Sequence, residues 1–169
     1  ETGSLSNLLP GHREAANPEH RAEVARYWGV DSLPANTGLS AIELFEAVRE
    51  GTIKALWIAC TNPAQSLPNQ NKVHEALAAC PFVVVQEAFF TTETCRYADL
   101  LLPAASWGEK EGTVTNSERR VSHVRRAVSA PAEARPDWSI TCDFARRLET
   151  LLRPGLPSLF DFADSEALF

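Results

Sequence analysis

Apolar residues along the chain change period twice. They recur at helical spacing in two segments between residues 17 and 50, run consecutively in short blocks from about residue 55, and return to helical spacing near the C-terminus. Residues 1–16 read as irregular. Asn17-Pro18-Glu19 then supplies an N-cap, a proline at the first helical position and an acid beside the positive helix end. This predicts a helix with Val24, Tyr27 and Trp28 on one side, stopping at Gly29. After a connector over residues 31–39, Ser40-Ala41-Ile42-Glu43 forms a capping box. It opens a second helix through about Glu50, with Leu44, Phe45 and Val48 inward and Gly51 ending it.

The consecutive blocks predict strands. Residues 55–60 (ALWIAC) form a nearly unbroken apolar run, the pattern of a strand buried on both faces of a parallel sheet. A loop over 61–67 and an amphipathic helix over 68–79, with Val73, Ala76 and Leu77 at helical spacing, lead to a second strand over 82–85 that closes in Gln86-Glu87. This is a βαβ unit. A short helix around 92–97 precedes a third strand at 99–102, an extended segment follows near 119–124, and residues 137–152 read as a helix with Trp138, Thr141, Ala145 and Leu148 at helical spacing. The expected fold class is α/β, a Rossmann-like parallel β-sheet with flanking helices. Its expected divisions are a helical lead-in (1–53), an α/β part (54–152) and a C-terminal connector (153–169).

Composition narrows the function classes. The 169 residues, 44% of them apolar, can build a real core, and a net charge of -6 lacks the basic footprint that a phosphate backbone requires. No nucleic-acid partner is expected. The apolar runs are too short for a helical membrane span, so none is expected either. The chain has no methionine, begins at Glu1 and ends at Phe169, which reads as an internal piece of a longer polypeptide. Cys60, Cys80, Cys95 and Cys142 form no C-x-x-C pair, which argues against a zinc ribbon or an iron–sulfur cluster held by this chain, and a reducing cytoplasm is the simplest setting. His12, His20, His74 and His123 are dispersed without visible partners, so surface or packing roles suit them.

In open parallel sheets, ligands sit at the carboxyl ends of strands. Three loops meet that condition: 61–66, 86–90 and 103–116. The first lacks G-x-G-x-x-G. There Thr61 and Asn62 are candidate donors to a phosphate or ribose near a helix start, or else form an Asx-type turn before Pro63. Glu87 suits a ribose diol, because a carboxylate accepts from both hydroxyls; a solvated glutamate is the alternative. Lys110, between Glu109 and Glu111, is a point charge for a phosphate or a guanine oxygen, or part of a surface ion-pair cluster. Asp137 accepts from paired guanine protons, or serves the dipole of its helix. Arg119 and Arg120 clamp an anion or pair with Glu118.

Three stretches carry a resemblance: ALWIACTNPAQSLPN (55–69), FVVVQEAFFTTETCRYADLLLPAASWGEKEGTVTNSERR (82–120) and ARPDW (134–138). Together they resemble the molybdopterin-guanine-dinucleotide oxidoreductases. Within that superfamily the chain is similar to the catalytic subunits of bacterial assimilatory nitrate reductases, and the opening ETGSLSNLLPGHR with HRAEVARYWGV favours these over formate dehydrogenases. The resemblance covers nearly the whole chain.

It implies a part of a molybdopterin-dinucleotide-binding domain that holds one guanine dinucleotide of a molybdenum bis(molybdopterin guanine dinucleotide) cofactor. By matching motifs, Asn62, Gln86, Glu87, Lys110 and Asp137 are the implied cofactor-binding residues; Arg119 and Arg120 match the pattern without an assigned contact. The family's cysteine cluster for a [4Fe-4S] centre, its molybdenum ligand and its C-terminal cofactor domain have no counterpart here, and Cys60 is not a metal ligand. The implied partners are the remaining domains of the parent polypeptide, an electron-donor protein or subunit, and nitrate. No residue is expected to act as acid, base or nucleophile, and the chain alone is expected to be inactive. The competing readings are a formate dehydrogenase or periplasmic nitrate reductase sharing this domain, and a stand-alone α/β nucleotide-binding or interaction module.

Overall fold

A computed structural model describes residues 8–168. Contacts divide the chain into two units, Glu1–Leu44 and Phe45–Phe169. In the first, the expected irregular opening contains a small antiparallel pair, β1 (Leu8–Leu9) and β2 (Arg13–Glu14). Gly11 and His12, both at positive φ, close its turn. Residues 1–7 of that opening lie outside the described residues. Helix α1 (Pro18–Trp28) begins as the local chemistry demands: the Asn17 side chain accepts from the Glu19 and His20 N–H groups. It ends with Gly29 at φ 66°, where the Val30 N–H donates back to the Ala25 carbonyl. Its buried residues are Val24 and Ala25, whereas Tyr27 is 84% exposed. The expected Val24–Tyr27–Trp28 stripe is therefore corrected: the two aromatics face outward, and the small Ala25 takes the inner position.

Helix α2 (Ala41–Arg49) starts from the expected capping box, with the Ser40 N–H donating to Glu43 Oε2 (2.8 Å) and the Glu43 N–H to Ser40 Oγ (3.4 Å). Val48 is its buried residue, and Gly51 at φ 75° follows its end.

The second unit is built on a three-stranded parallel sheet in the order β3 (Ala55–Ala59), β4 (Phe82–Glu87), β5 (Leu100–Pro103). Register pairs Leu56 with Val83 and Ile58 with Val85, so these four point to one face, and all are buried. The other face presents Trp57, Val84 and Gln86. Two expectations change here. Strand β3 ends at Ala59, with Cys60 outside it at φ 56°, and its burial alternates instead of being continuous. Phe144 packs edge-on against Trp57 (ring centroids 4.9 Å apart), yet Trp57 stays 36% exposed, so the second face is only partly covered.

The β3-to-β4 crossover holds two helices where one was expected: α3 (Pro63–Ser66), started by proline, and α4 (Gln70–Ala79), entered through Asn69 at φ 54°. Val73, Ala76 and Leu77 of α4 are buried as their spacing implies. A 3₁₀ turn (Glu93–Tyr97) precedes β5. After β5 and a second 3₁₀ turn (Trp107–Glu109), the expected loop over 103–116 contains a strand, β6 (Gly112–Thr115), paired antiparallel with β7 (Val121–Val124). Asn116 Oδ1 accepts from the Glu118 and Arg120 N–H groups across that hairpin turn. Helix α5 (Asp137–Leu152) has the expected bounds, but Ile140 and Cys142 are its buried residues; Thr141 and Leu148 are exposed. A short helix, α6 (Ser165–Leu168), comes last.

Leu77 is 2% exposed. Leu77→Ala is expected to destabilise the chain by about 2–5 kcal/mol, read as a lowered urea midpoint at unchanged slope. A loss below about 1 kcal/mol would mean that α4 is not seated in the core as described.

Candidate functional site

The carboxyl ends of β3, β4 and β5 converge on one side chain, Asp137. Its position follows from the backbone. Beyond β5 the Ala105 N–H donates to the Arg135 carbonyl (2.8 Å) and the Arg135 N–H to the Pro103 carbonyl (3.1 Å), a parallel bridge that fixes the chain two residues before Asp137. Pro136 then starts α5, and the carboxylate of its first residue meets the strand ends.

Three donors reach it. Lys110 Nζ donates to Oδ2 at 2.6 Å, Gln86 Nε2 to Oδ1 at 2.8 Å and Cys60 Sγ to Oδ1 at 3.1 Å. Burial pushes the Asp137 carboxyl up, but the hydrogen bonds from Lys110, Gln86 and Cys60 outweigh it and hold the group below its ordinary value. Cys60, although exposed as a residue, has its thiol pushed up to about 11, first by desolvation and then by its bond to the Asp137 carboxylate. It is a hydrogen-bond donor, not a reactive thiolate. Lys110 Nζ also lies 5.5 Å from the centre of the Trp107 ring, within cation–π range. The capping box of the 3₁₀ turn (Ser106 with Glu109) holds that tryptophan and lysine in place. A cavity of about 270 Å³ opens here, lined by Trp107, Lys110, Glu111, Thr113, Asp137 and Trp138, among others.

The structure thus joins Gln86, Lys110 and Asp137, and adds Cys60. Glu87 closes β4 with Oε1 accepting from the Ala88 (2.8 Å) and Phe89 (3.4 Å) N–H groups. Asn62 belongs to a separate network with Gln65, Glu93 and Thr94. That network holds the Glu93 carboxyl below its ordinary value, chiefly through the Asn62 hydrogen bond. The Asx-type turn before Pro63 is not formed, because the Ala64 N–H donates to Thr94 Oγ1 and not to Asn62. Asn62 makes no side-chain cap of its own helix, and the α3 N–H groups are already partnered: Ala64 with Thr94 Oγ1, and Gln65 and Ser66 with the Asn62 carbonyl. Local sequence does not single out Cys60 or Thr94, because their partners are 77 and 30 residues away.

Polar capacity remains around Asp137. Gln86 is 2% exposed, and its Oε1 is buried without a hydrogen-bond partner. Such an orphan costs about 1–3 kcal/mol unless a donor meets it. Asp137 has accepted three of the four hydrogen bonds a carboxylate can take, and Lys110 has used one of three donors. This mixed set fits a ligand that offers N–H groups beside anionic oxygens. Among the described residues, no group of three or more His, Cys, Asp or Glu is placed to hold a metal, and no helix is long and apolar enough to cross a membrane.

The chain belongs to the molybdopterin oxidoreductase family, whose model matches residues 4–147. A nitrate reductase of Synechocystis sp. is 46% identical over 99% of this chain and 23% of the relative. The assimilatory nitrate reductase catalytic subunit of Bacillus subtilis is 42% identical over 100% of this chain and 23% of the relative. The chain therefore spans less than a quarter of these curated relatives. Among solved structures, acetylene hydratase from Pelobacter acetylenicus superposes on 99% of this chain and 21% of its own, with a TM-score of 0.65 and 22% identity, a likeness of fold. Membership of the family implies a molybdenum–pterin cofactor.

The lowered Asp137 carboxyl sets a pH dependence. Its stabilisation is complete above the ordinary value of 3.8 and is lost as pH falls through the lower folded value. The stability difference between the native chain and Asp137→Asn is expected to be full at neutrality and to shrink only as pH falls below 3.8. A carbon-13 titration midpoint for Asp137 at or above 3.8 would contradict the network.

Proposed function

We propose that this chain is the cofactor-holding segment of a molybdenum-dependent nitrate reductase, and that it grips one guanine-dinucleotide arm of a bis(molybdopterin guanine dinucleotide) cofactor. In this reading residues 54–152 are the dinucleotide-binding part, residues 1–53 the helical lead-in and 153–169 a connector. The side chains assigned to the cofactor are Gln86, Glu87, Lys110 and Asp137; Asn62, the fifth residue that the resemblance implies, is assigned to the site through its loop. The observation that supports it most directly is the convergence of Gln86, Lys110 and Asp137 at the strand ends, with one buried amide oxygen still lacking a donor. A carboxylate and an amide oxygen suit the N–H edge of a guanine, and the ammonium suits its oxygen or a phosphate. The free Oε2 of Glu87 suits a ribose hydroxyl.

When bound, the cofactor supplies two-electron oxygen-atom-transfer chemistry, which in this reading converts nitrate to nitrite. The residues of this chain bind and orient it and hold its charge. None of them exchanges a proton with substrate. The electrons come from a donor protein or subunit through a [4Fe-4S] centre held elsewhere in the polypeptide, and the setting is the cytoplasm. Similarity to nitrate reductases supports the choice of substrate.

In the full-length enzyme, Lys110→Ala removes a charged hydrogen bond of roughly 1.5–3 kcal/mol. Molybdenum and guanine retention during purification is expected to weaken by about tenfold to a hundredfold; unchanged contents would make Lys110 a surface charge only. With reduced viologen as donor, the whole enzyme should yield nitrite from nitrate. Formate oxidation instead would assign it to formate dehydrogenases. The isolated chain, supplied with the metal, is expected to produce no nitrite.

A further inference from the structure

Asn62 follows β3, and its amide has four hydrogen-bonding positions, two N–H donors and two oxygen lone pairs. All four are occupied within the chain. Nδ2 donates to Glu93 Oε2 (2.8 Å) and Gln65 Oε1 (3.1 Å), while Oδ1 accepts from Thr94 Oγ1 (2.6 Å) and the Thr94 N–H (3.2 Å). Thr94 is fully buried. Its hydroxyl donates to Asn62 and accepts from the Ala64 N–H at 3.2 Å, thereby capping α3 from thirty residues away. The bonds form a closed set that ties the loop after β3 to the turn after β4.

We infer that Thr94 is a positioning residue for the cofactor site, and that Asn62 serves the site as the other half of this clamp instead of offering its side chain to the cofactor. The inference rests on the cofactor-holding reading above. The loops after β3 and β4 leave adjacent parallel strands at the same sheet edge and are bonded to each other, so the clamp sets their spacing. Misplacing a binding loop by about 1 Å is enough to cost two orders of magnitude in function. A saturated amide gives nothing further to a ligand without breaking a bond in the clamp.

The test uses full-length enzyme carrying Thr94→Val, Thr94→Ser, Asn62→Ala and the Asn62→Ala/Thr94→Val pair. Molybdenum and pterin are measured per enzyme, and hydrogen–deuterium exchange is followed in peptides covering residues 62–67 and 89–95. Thr94→Val keeps the side-chain shape but loses the hydroxyl. It is expected to lower cofactor content about tenfold and to speed exchange in both peptides by a similar factor. Thr94→Ser should restore both, and the double variant should lose no more than the worse single. Full cofactor in Thr94→Val beside loss in Asn62→Ala would overturn the inference, because Asn62 would then act by direct contact. Faster exchange with full cofactor in every variant would also overturn it, leaving the clamp purely structural. If the unmodified enzyme carries no molybdopterin, the cofactor-holding reading fails by itself. The exchange arm then still decides the clamp, which unchanged rates in Thr94→Val would refute.

Discussion

The Asp137 carboxylate is the point on which the second unit turns. A charge with less than a third of its side chain exposed is tolerable only if donors replace the water it has lost. Here the donors come from Cys60 after β3, Gln86 at the end of β4 and Lys110 beyond β5. Each belongs to a different strand-end segment, so satisfying one carboxylate draws three segments together. The parallel bridge at Arg135 fixes the backbone beside it, which leaves the side chain little choice of where to point. The same interaction that offsets the cost of burying Asp137 assembles the candidate site.

Sheet geometry explains why this happens on one side of the molecule. In a parallel sheet every strand ends at the same edge, and β4 lies in the centre with both neighbours in register. Gln86 shares a face with Trp57 and Val84, the face on which Phe144 of α5 packs, so its amide meets the start of that helix. The opposite face, with Leu56, Ile58, Val83 and Val85, is apolar and buried. One face is core and the other is shared between packing and polar recognition.

Much of this was legible along the chain. The caps at Asn17 and Ser40, the stops at Gly29 and Gly51, the strand order of elements and the bounds of α5 follow from chemistry acting over three or four residues, and each is found. The outward turn of Tyr27, the alternation in β3 and the β6–β7 hairpin did not follow, because they depend on what lies opposite each residue. Lys110 and Asp137 were legible as candidate charges. Their 2.6 Å contact was not, since spacing cannot show that residues 27 apart meet.

The sequence by itself determined the α/β class, the βαβ unit and the residue types available at the strand ends, because propensity, capping and hydrophobic period are local. Tertiary structure alone decided which polar groups are saturated and which retain capacity. Asn62 and Gln86 are both amides at a strand end, and nothing in their neighbours distinguishes them. Buried contacts do: Thr94, Glu93 and Gln65 occupy the first completely, while the second keeps an oxygen without a donor. Hydrogen bonds close in space, not along the chain, and this difference becomes visible only when the strands are in place.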